Sequence, residues 1–425
     1  MSAKAKPGGC PPGYKQTEVG VIPEKWDAVP LGRMIKLQGG YAFRSKDFSD
    51  IGVPVIRISD IQGGVVHVDR AICHPPIQLP DDFVIRQGDV LVAMSGATTG
   101  KVGLFQHSKP AYQNQRVGKF VVRDKIRTSP GFVEQLVRSS VFVSKLGVFL
   151  EQGAQPNISG RQIESLVFAA PRELPDQRAI AGALSDVDAQ VGALDQLIAK
   201  KRDLKQAAMQ QLLTGRRRLP GFHGEWEVKT LGEIGDITSA GVDKKSRPGE
   251  VPVRLVNYLD VYRRDFIYSD DLNHWVTAPS YQARRCAVQK GDVFFTPSSE
   301  TRDDIGISAL AMEDIPDAVY SYHVVRLRLK EEWDLRFRTY AFKTKSFLDQ
   351  AETLCDGSGT RYVISQGKFR SMTVKVPPVP EQTAIAEIIS DIDTELAALE
   401  QRRDKTRALK QGMMQELLTG RTRLA

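Results

Sequence analysis

The chain has 425 residues, 41% hydrophobic and 26% charged, with a formal net charge of +8. That length suits two to four compact units with cores of their own, and the positive balance fits an anionic partner. No apolar run is long enough to cross a bilayer, the opening Met1-Ser2-Ala3-Lys4-Ala5-Lys6-Pro7-Gly8 lacks the apolar stretch of a secretion signal, and a cytoplasmic protein is expected.

Residues 1–170 read as a first α+β domain, with strands at Val53 to Ile58, Asp89 to Met94 and Lys119 to Val122 and short helices near Gly131 to Phe149. Within it, Ser95-Gly96-Ala97-Thr98-Thr99-Gly100-Lys101-Val102 resembles a nucleotide phosphate loop. That motif needs glycine at 95 and a hydroxyl at 102, so nucleotide hydrolysis is not expected. A short loop ending in lysine still suits a DNA phosphate or base edge, and equally a plain turn.

Residues 171–219 form a long helix, because Ile180, Leu184, Val187, Val191, Leu194 and Ile198 recur at alternating spacings of four and three. That is the seam of a coiled coil. Pro175 opens the helix, where a missing N–H costs nothing, and Gly215 closes it after about 38 residues, roughly 57 Å. Residues 220–374 form a second α+β domain, with strands at Val251 to Asn257, Asp292 to Thr296 and His323 to Leu329 and helices near Leu335 to Ala351. In residues 375–425 the seam returns as Ile385, Ile389, Ile392, Leu396 and Leu399, between Pro380 and Gly420.

The two helices are copies. Pro175-Asp176-Gln177-Arg178-Ala179-Ile180-Ala181 returns as Pro380-Glu381-Gln382-Thr383-Ala384-Ile385-Ala386, a shift of 205 residues that holds to Leu212-Leu213-Thr214-Gly215-Arg216 against Leu417-Leu418-Thr419-Gly420-Arg421. Weaker echoes mark the domains: Trp26 and Trp226, Val53-Pro54-Val55 and Val251-Pro252-Val253, Gly88-Asp89-Val90 and Gly291-Asp292-Val293, Ile158-Ser159 and Ile364-Ser365. Between these landmarks the halves diverge, as one scaffold presenting two different surfaces would. Two copies of one apolar stripe pack most simply on each other, antiparallel about a pseudo-twofold axis. The first helix runs on into Trp226 whereas nothing follows the second, so Gly20 to Trp26 should take the vacant place and close the arrangement into a ring.

This order of variable domain, helix, variable domain, helix resembles the specificity subunits of type I restriction-modification systems over nearly the whole chain. The helix openings at 175 and 380 and the Leu-Leu-Thr-Gly closings carry the likeness best. The segments Ser95 to Gly103 and Asn114-Gln115-Arg116 also look like family elements, while Pro297-Ser298-Ser299-Glu300 differs in the second domain. The resemblance implies two target-recognition domains that each read half of a bipartite double-stranded DNA site, and helices that set the unread spacer and dock two methylation subunits. Those partners bind S-adenosylmethionine, and a motor-nuclease subunit joins them for cleavage.

No catalytic centre is expected in the chain itself. An adenine methyltransferase needs a cofactor-binding glycine motif and an Asn/Asp-Pro-Pro-aromatic segment, and both are missing. Glu227-Val228-Lys229 lacks the upstream aspartate of a metal nuclease. The six histidines show no ligand spacing, and Cys10, Cys73, Cys286 and Cys355 read as free thiols, so neither metal nor cofactor is expected.

For DNA contact the candidates are loop residues able to donate to phosphates or to two groups on one base edge. In the first domain they are Arg44, Ser45 and Lys46; Ser95, Thr98, Thr99 and Lys101; and Gln113, Asn114, Gln115 and Arg116. In the second they are Lys244, Lys245 and Arg247; Arg263 and Arg264; Ser298, Ser299 and Arg302; Tyr322 and His323; and Arg361, Tyr362 and Lys368. The rival readings are a coiled-coil adaptor with duplicated protein-binding domains and a stand-alone nuclease or methyltransferase.

Overall fold

The computed structural model describes residues 10–150, 157–239 and 241–424; the opening stretch 1–8 quoted above lies outside the described residues. Two compact units form, one from residues 1–195 with 401–425, the other from 196–400. The division cuts both long helices because each helix end is built into a globular core. Ile180, Leu184, Met414, Leu417 and Leu418 pack with Phe132, Leu136 and Phe142 in the first unit. Leu212, Leu213, Ile385 and Ile389 pack with Phe337, Tyr340 and Phe347 in the second.

Both units are α+β and share one topology. In the first, a six-stranded sheet runs in the order Ile35–Gly39, Val117–Val122, Val90–Ala93, Val102–Leu104, Val65–Val66, Ile61–Gln62. A four-stranded sheet, Cys73–His74, Val53–Ile56, Ala111–Gln113, Val84–Ile85, covers one face. Helices Pro130–Val137 and Ser140–Leu150 pack on the other. The strand Val90–Ala93 is therefore apolar throughout, Val90 and Val92 facing the helices and Leu91 and Ala93 the second sheet. In the second unit the first five of those six places are taken by Gly235–Thr238, Val325–Leu329, Val293–Phe295, Ser308–Ala311 and Phe266–Ile267, and the four of the second sheet by Trp275–Ala278, Val251–Val256, Ile315–Tyr320 and Ala287–Val288.

The strands expected from sequence form within a few residues of their expected ends. The short helices expected near 131–149 and 335–351 form as one pair in each range. Ser139 ends the first helix by donating to Leu136 O at 2.6 Å and opens the next by accepting from Phe142 N at 3.2 Å. Thr344 likewise caps Lys345–Leu354, separating it from Phe337–Ala341.

The long helices are Leu174–Leu212 and Val379–Leu417, 39 residues each. Gly215 and Gly420 follow them at φ +71° and +72°, the left-handed conformation that a helix terminator needs. The two helices run antiparallel within each unit. Asp188 pairs with Lys410 (2.7 Å) and Asp195 with Arg407 (2.8 Å) in the first, Lys205 with Asp393 (2.6 Å) and Arg202 with Glu400 in the second. Shifted by 205, the first two pairs become the second two. Along the seam Ile180, Leu184, Ile198, Ile385, Ile389 and Leu396 are buried, whereas Val187, Val191, Leu194, Ile392 and Leu399 are half-buried.

Chain closure is visible inside the first unit. Trp26 and Pro23 lie against Gly420, Tyr14 Oη donates to Arg421 O at 3.2 Å, and the Arg423 guanidinium stands 5.3 Å from the Tyr14 ring centre. In the second unit, where the chain is continuous, Trp226 lies against Gly215, and the Arg218 fork grips the fully buried Glu381 carboxylate at 2.6 and 2.7 Å. Trp226 Nε1 also donates to that carboxylate, at 3.0 Å.

Candidate nucleic-acid interface

In each unit four loops leave the same end of the two sheets and are tied to one another through backbone. In the first, Tyr41 N donates to Gln113 O (2.8 Å), Asn114 N to Ile56 O (3.2 Å), Met94 N to Arg116 O (3.0 Å) and Ile158 N to Met94 O (2.9 Å). In the second, Val242 N donates to Tyr320 O (2.8 Å), Ser321 N to Val256 O (2.9 Å) and Ile364 N to Pro297 O (2.8 Å). Bridges Tyr41 to Asn114 and Val242 to Ser321 are direct counterparts. So are Gly40 and Gly241, where a Cβ would stand 2.0 Å from Asn114 O and 2.3 Å from the Ser321 carbonyl carbon. Only glycine permits that approach.

The first loop cluster gathers Arg44, Lys46, Ser95, Thr98, Thr99, Asn114, Gln115 and Arg116, with Arg44, Lys46, Gln115 and Arg116 exposed. Thr99 is occupied locally, its hydroxyl donating to Gly96 O at 2.6 Å. Gln113 is structural: fully buried, it donates to Gln38 O and Val117 O, both at 2.8 Å. Ser95 Oγ, Thr98 Oγ1 and Gln113 Oε1 are buried with no hydrogen-bond partner among the described residues, so unmet polar capacity collects beside these loops. Beneath them Phe43 stacks on Tyr112 (5.8 Å) and meets Tyr41 (5.0 Å) and His74 (5.1 Å) edge-on or tilted, a buttress for residues 41–48. Lys101 lines, with Thr99, a cavity of about 350 Å³ whose other walls include Val137, Arg138, Leu146 and Lys410.

The second cluster gathers Lys244, Ser298, Ser299, Arg302, Tyr322, His323, Arg361 and Tyr362. The rings of Tyr322 and His323 are 3.9 Å apart, and the Arg302 guanidinium is 5.0 Å from the Tyr362 ring centre. Burial first, then the cations of Lys244 and Arg361, push the His323 imidazole below its ordinary value, with Asp243 opposing, so it is neutral at neutral pH. Lys245 and Arg247 continue the Lys244 loop as exposed side chains, and Arg247 N donates to Thr277 Oγ1 at 2.6 Å.

Three other candidates sit away from the loop ends or are engaged. Arg263 is exposed after the helix Tyr258–Tyr262. Arg264 pairs with Asp260 (2.9 Å) and Asp271 (3.3 Å), and Lys368 with Asp356 (2.6 Å).

One feature escaped sequence reading. Tyr258 and Tyr262 stack at 5.7 Å beside the Ser299 loop, and Tyr262 Oη donates to Asp304 at 2.6 Å. Burial first raises the Tyr258 phenol, against a hydrogen bond with Ser299. The i,i+4 spacing of two tyrosines in a short helix was the available signal.

Chemically, these ends offer cationic and amide donors with stacking faces, the means of reading phosphates and base edges. Among the described residues no group of three or more His, Cys, Asp or Glu could hold a metal, and no helix is long and apolar enough to cross a membrane.

Comparison with known proteins agrees with this architecture. The family model described as the type I restriction modification DNA specificity domain matches twice, at residues 23–200 and 223–407. The chain is 24% identical to the putative type I restriction enzyme MjaX specificity subunit of Methanocaldococcus jannaschii over 97% of both chains. It is 26% identical to the MjaVIII specificity subunit of the same organism over 49% of this chain, a match spanning 50% of that relative. The crystal structure of the type I restriction-modification S subunit from M. genitalium superposes with a TM-score of 0.54 at 16% identity, covering 92% of this chain and 96% of that one.

Proposed function

The chain belongs to the type I restriction modification DNA specificity family, and on that premise we propose that each variable domain reads one half of a bipartite double-stranded DNA target. Like its named relatives it is a specificity subunit, a DNA-recognition component and not an enzyme. The observation that carries the two-reader proposal is the pair of equivalent loop clusters on one repeated scaffold: same strand ends, same backbone bridges, different side chains. Arg44, Lys46 and Asn114 to Arg116 serve one half-site, and Lys244, Ser298, Ser299, Arg302, Tyr322, His323, Arg361 and Tyr362 the other.

The long helices set the unread spacer and dock two methylation subunits, which supply S-adenosylmethionine chemistry to adenines in the half-sites; a motor-nuclease subunit completes the cleaving complex. Functionally the chain divides as residues 1–170, 171–219, 220–374 and 375–425, and it works in the cytoplasm, where its DNA is. Leu204 and Leu409, 205 residues apart, are both exposed on the long helices, which fits two equivalent docking places.

The test is selection of duplexes from a randomised library by the full chain purified with the partners it carries. Enrichment of two short motifs at fixed separation is expected. Enrichment of nothing sinks the proposal.

A further inference from the structure

A two-stranded ribbon extends from the second loop cluster. Asp356–Ser358 pairs antiparallel with Arg361–Val363, which in turn pairs with Ser298–Ser299. Residues 356–361 are all exposed, and so is Val363. The turn depends on Gly359 at φ +72°, and Gly357, at φ +130°, brings its backbone so close that a Cβ would stand 2.2 Å from Arg361 O.

The charge pattern on this ribbon is selective. Its one carboxylate, Asp356, is met by Lys368 at 2.6 Å, and at its root Arg302 lies over Tyr362. Arg361, beside the turn, forms no ion pair with a carboxylate among the described residues; Ser358 pairs with it across the ribbon, Thr360 precedes it, and its cation acts on the His323 imidazole. An edge strand that recruits a protein strand needs side chains filling alternate pockets, and Asp-Gly-Ser offers none. A narrow polar ribbon ending in an unpaired guanidinium instead fits the major groove, about 12 Å wide, which admits two strands.

Resting on the recognition reading above, we infer that this ribbon enters the major groove of the second half-site and that Arg361 reads a guanine through O6 and N7. Arg302 and Tyr362 hold the ribbon's root, and Ser358 and Thr360 face the neighbouring phosphates or bases. Arg361 is then a specificity-determining residue for one base pair of one half-site.

The experiment is the randomised-duplex selection with the unaltered chain, Arg361→Ala and Arg361→Lys, each full length and with its partners. Both variants should relax one position of one half-site by roughly ten- to a hundredfold and leave the other half-site unchanged, because lysine keeps the charge but not the bidentate fork. Equal weakening on all sequences in the alanine variant, restored by lysine, would make Arg361 a phosphate contact and overturn the inference while leaving recognition intact. An unchanged motif in both variants would overturn it too. If the unaltered chain selects no motif, recognition itself fails and this inference with it.

Discussion

Gln177 and Gln382 show how one residue type can be demanded twice for one job. Each amide is buried at the start of a long helix: Gln177 donates to Pro171 O (3.0 Å) and accepts from Ser129 N (2.8 Å), and Gln382 donates to Pro377 O (2.9 Å) and accepts from Asp334 N (2.9 Å). The motif was legible as a repeat, but its purpose was not, because Ser129 and Asp334 lie some 48 residues upstream of their partners. The preceding position breaks the symmetry. Glu381 is buried under Arg218 and Trp226, whereas its counterpart Asp176 is exposed and Arg423 turns to Tyr14. Arg218→Ala strands a buried carboxylate and should destabilise by about 3–5 kcal/mol. Arg423→Ala should leave the denaturant unfolding curve nearly unmoved, and equal effects would contradict this account of the joints. Nearby, the Arg172 fork, then Lys15, holds the Asp27 carboxyl down at about 2 from 3.8. Because the folded value is the lower one, this contribution is present above about pH 4 and is lost as pH falls toward 2. Asp27→Asn should flatten the acid limb of a stability-against-pH curve in that window, and an unchanged limb would argue against it.

At the scale of the element, periodicity revealed both long helices almost to the residue, since a 39-residue amphipathic pattern between a proline and a glycine admits little else. What periodicity could not show was the partner of each seam residue. Ile180, Leu184, Ile385 and Ile389 are buried in globular cores. The middle of the pair carries recurring ion pairs, which individually contribute only about 0.2–1 kcal/mol but fix which residues face each other. The loop candidates divided for a similar reason: Asp260 lies only four residues before Arg264, but Asp271 beside Arg264 and Asp356 beside Lys368 are placed there by the fold. Leu204→Glu and Leu409→Glu should each remove one of two methylation subunits from the purified complex, and the double substitution both, as read by native mass. Retention of two subunits by the double variant would place docking elsewhere. Inserting four residues into both helices should lengthen the unread spacer by about 6 Å, close to two base pairs, with half-sites unchanged. A constant spacer in the selected duplexes would refute the ruler.

For the molecule as a whole, the repeat says more than charge does. A balance of +8 is compatible with many functions, while a duplicated scaffold with two divergent loop clusters calls for two different ligands or a ligand with two different parts. The framework was legible because strands and helices repeat for reasons of packing. The chemistry of each loop cluster was only partly so, because Tyr258, Tyr262 and the ribbon at 356–363 acquire meaning from neighbours far along the chain. Whether one chain reads two separated DNA elements can be read from genome-wide mapping of methylated adenines in the host, with the gene intact and deleted. A two-part motif with a fixed unread gap that vanishes on deletion is expected; a methylation pattern indifferent to the deletion, or a single uninterrupted motif, would refute the two-reader proposal.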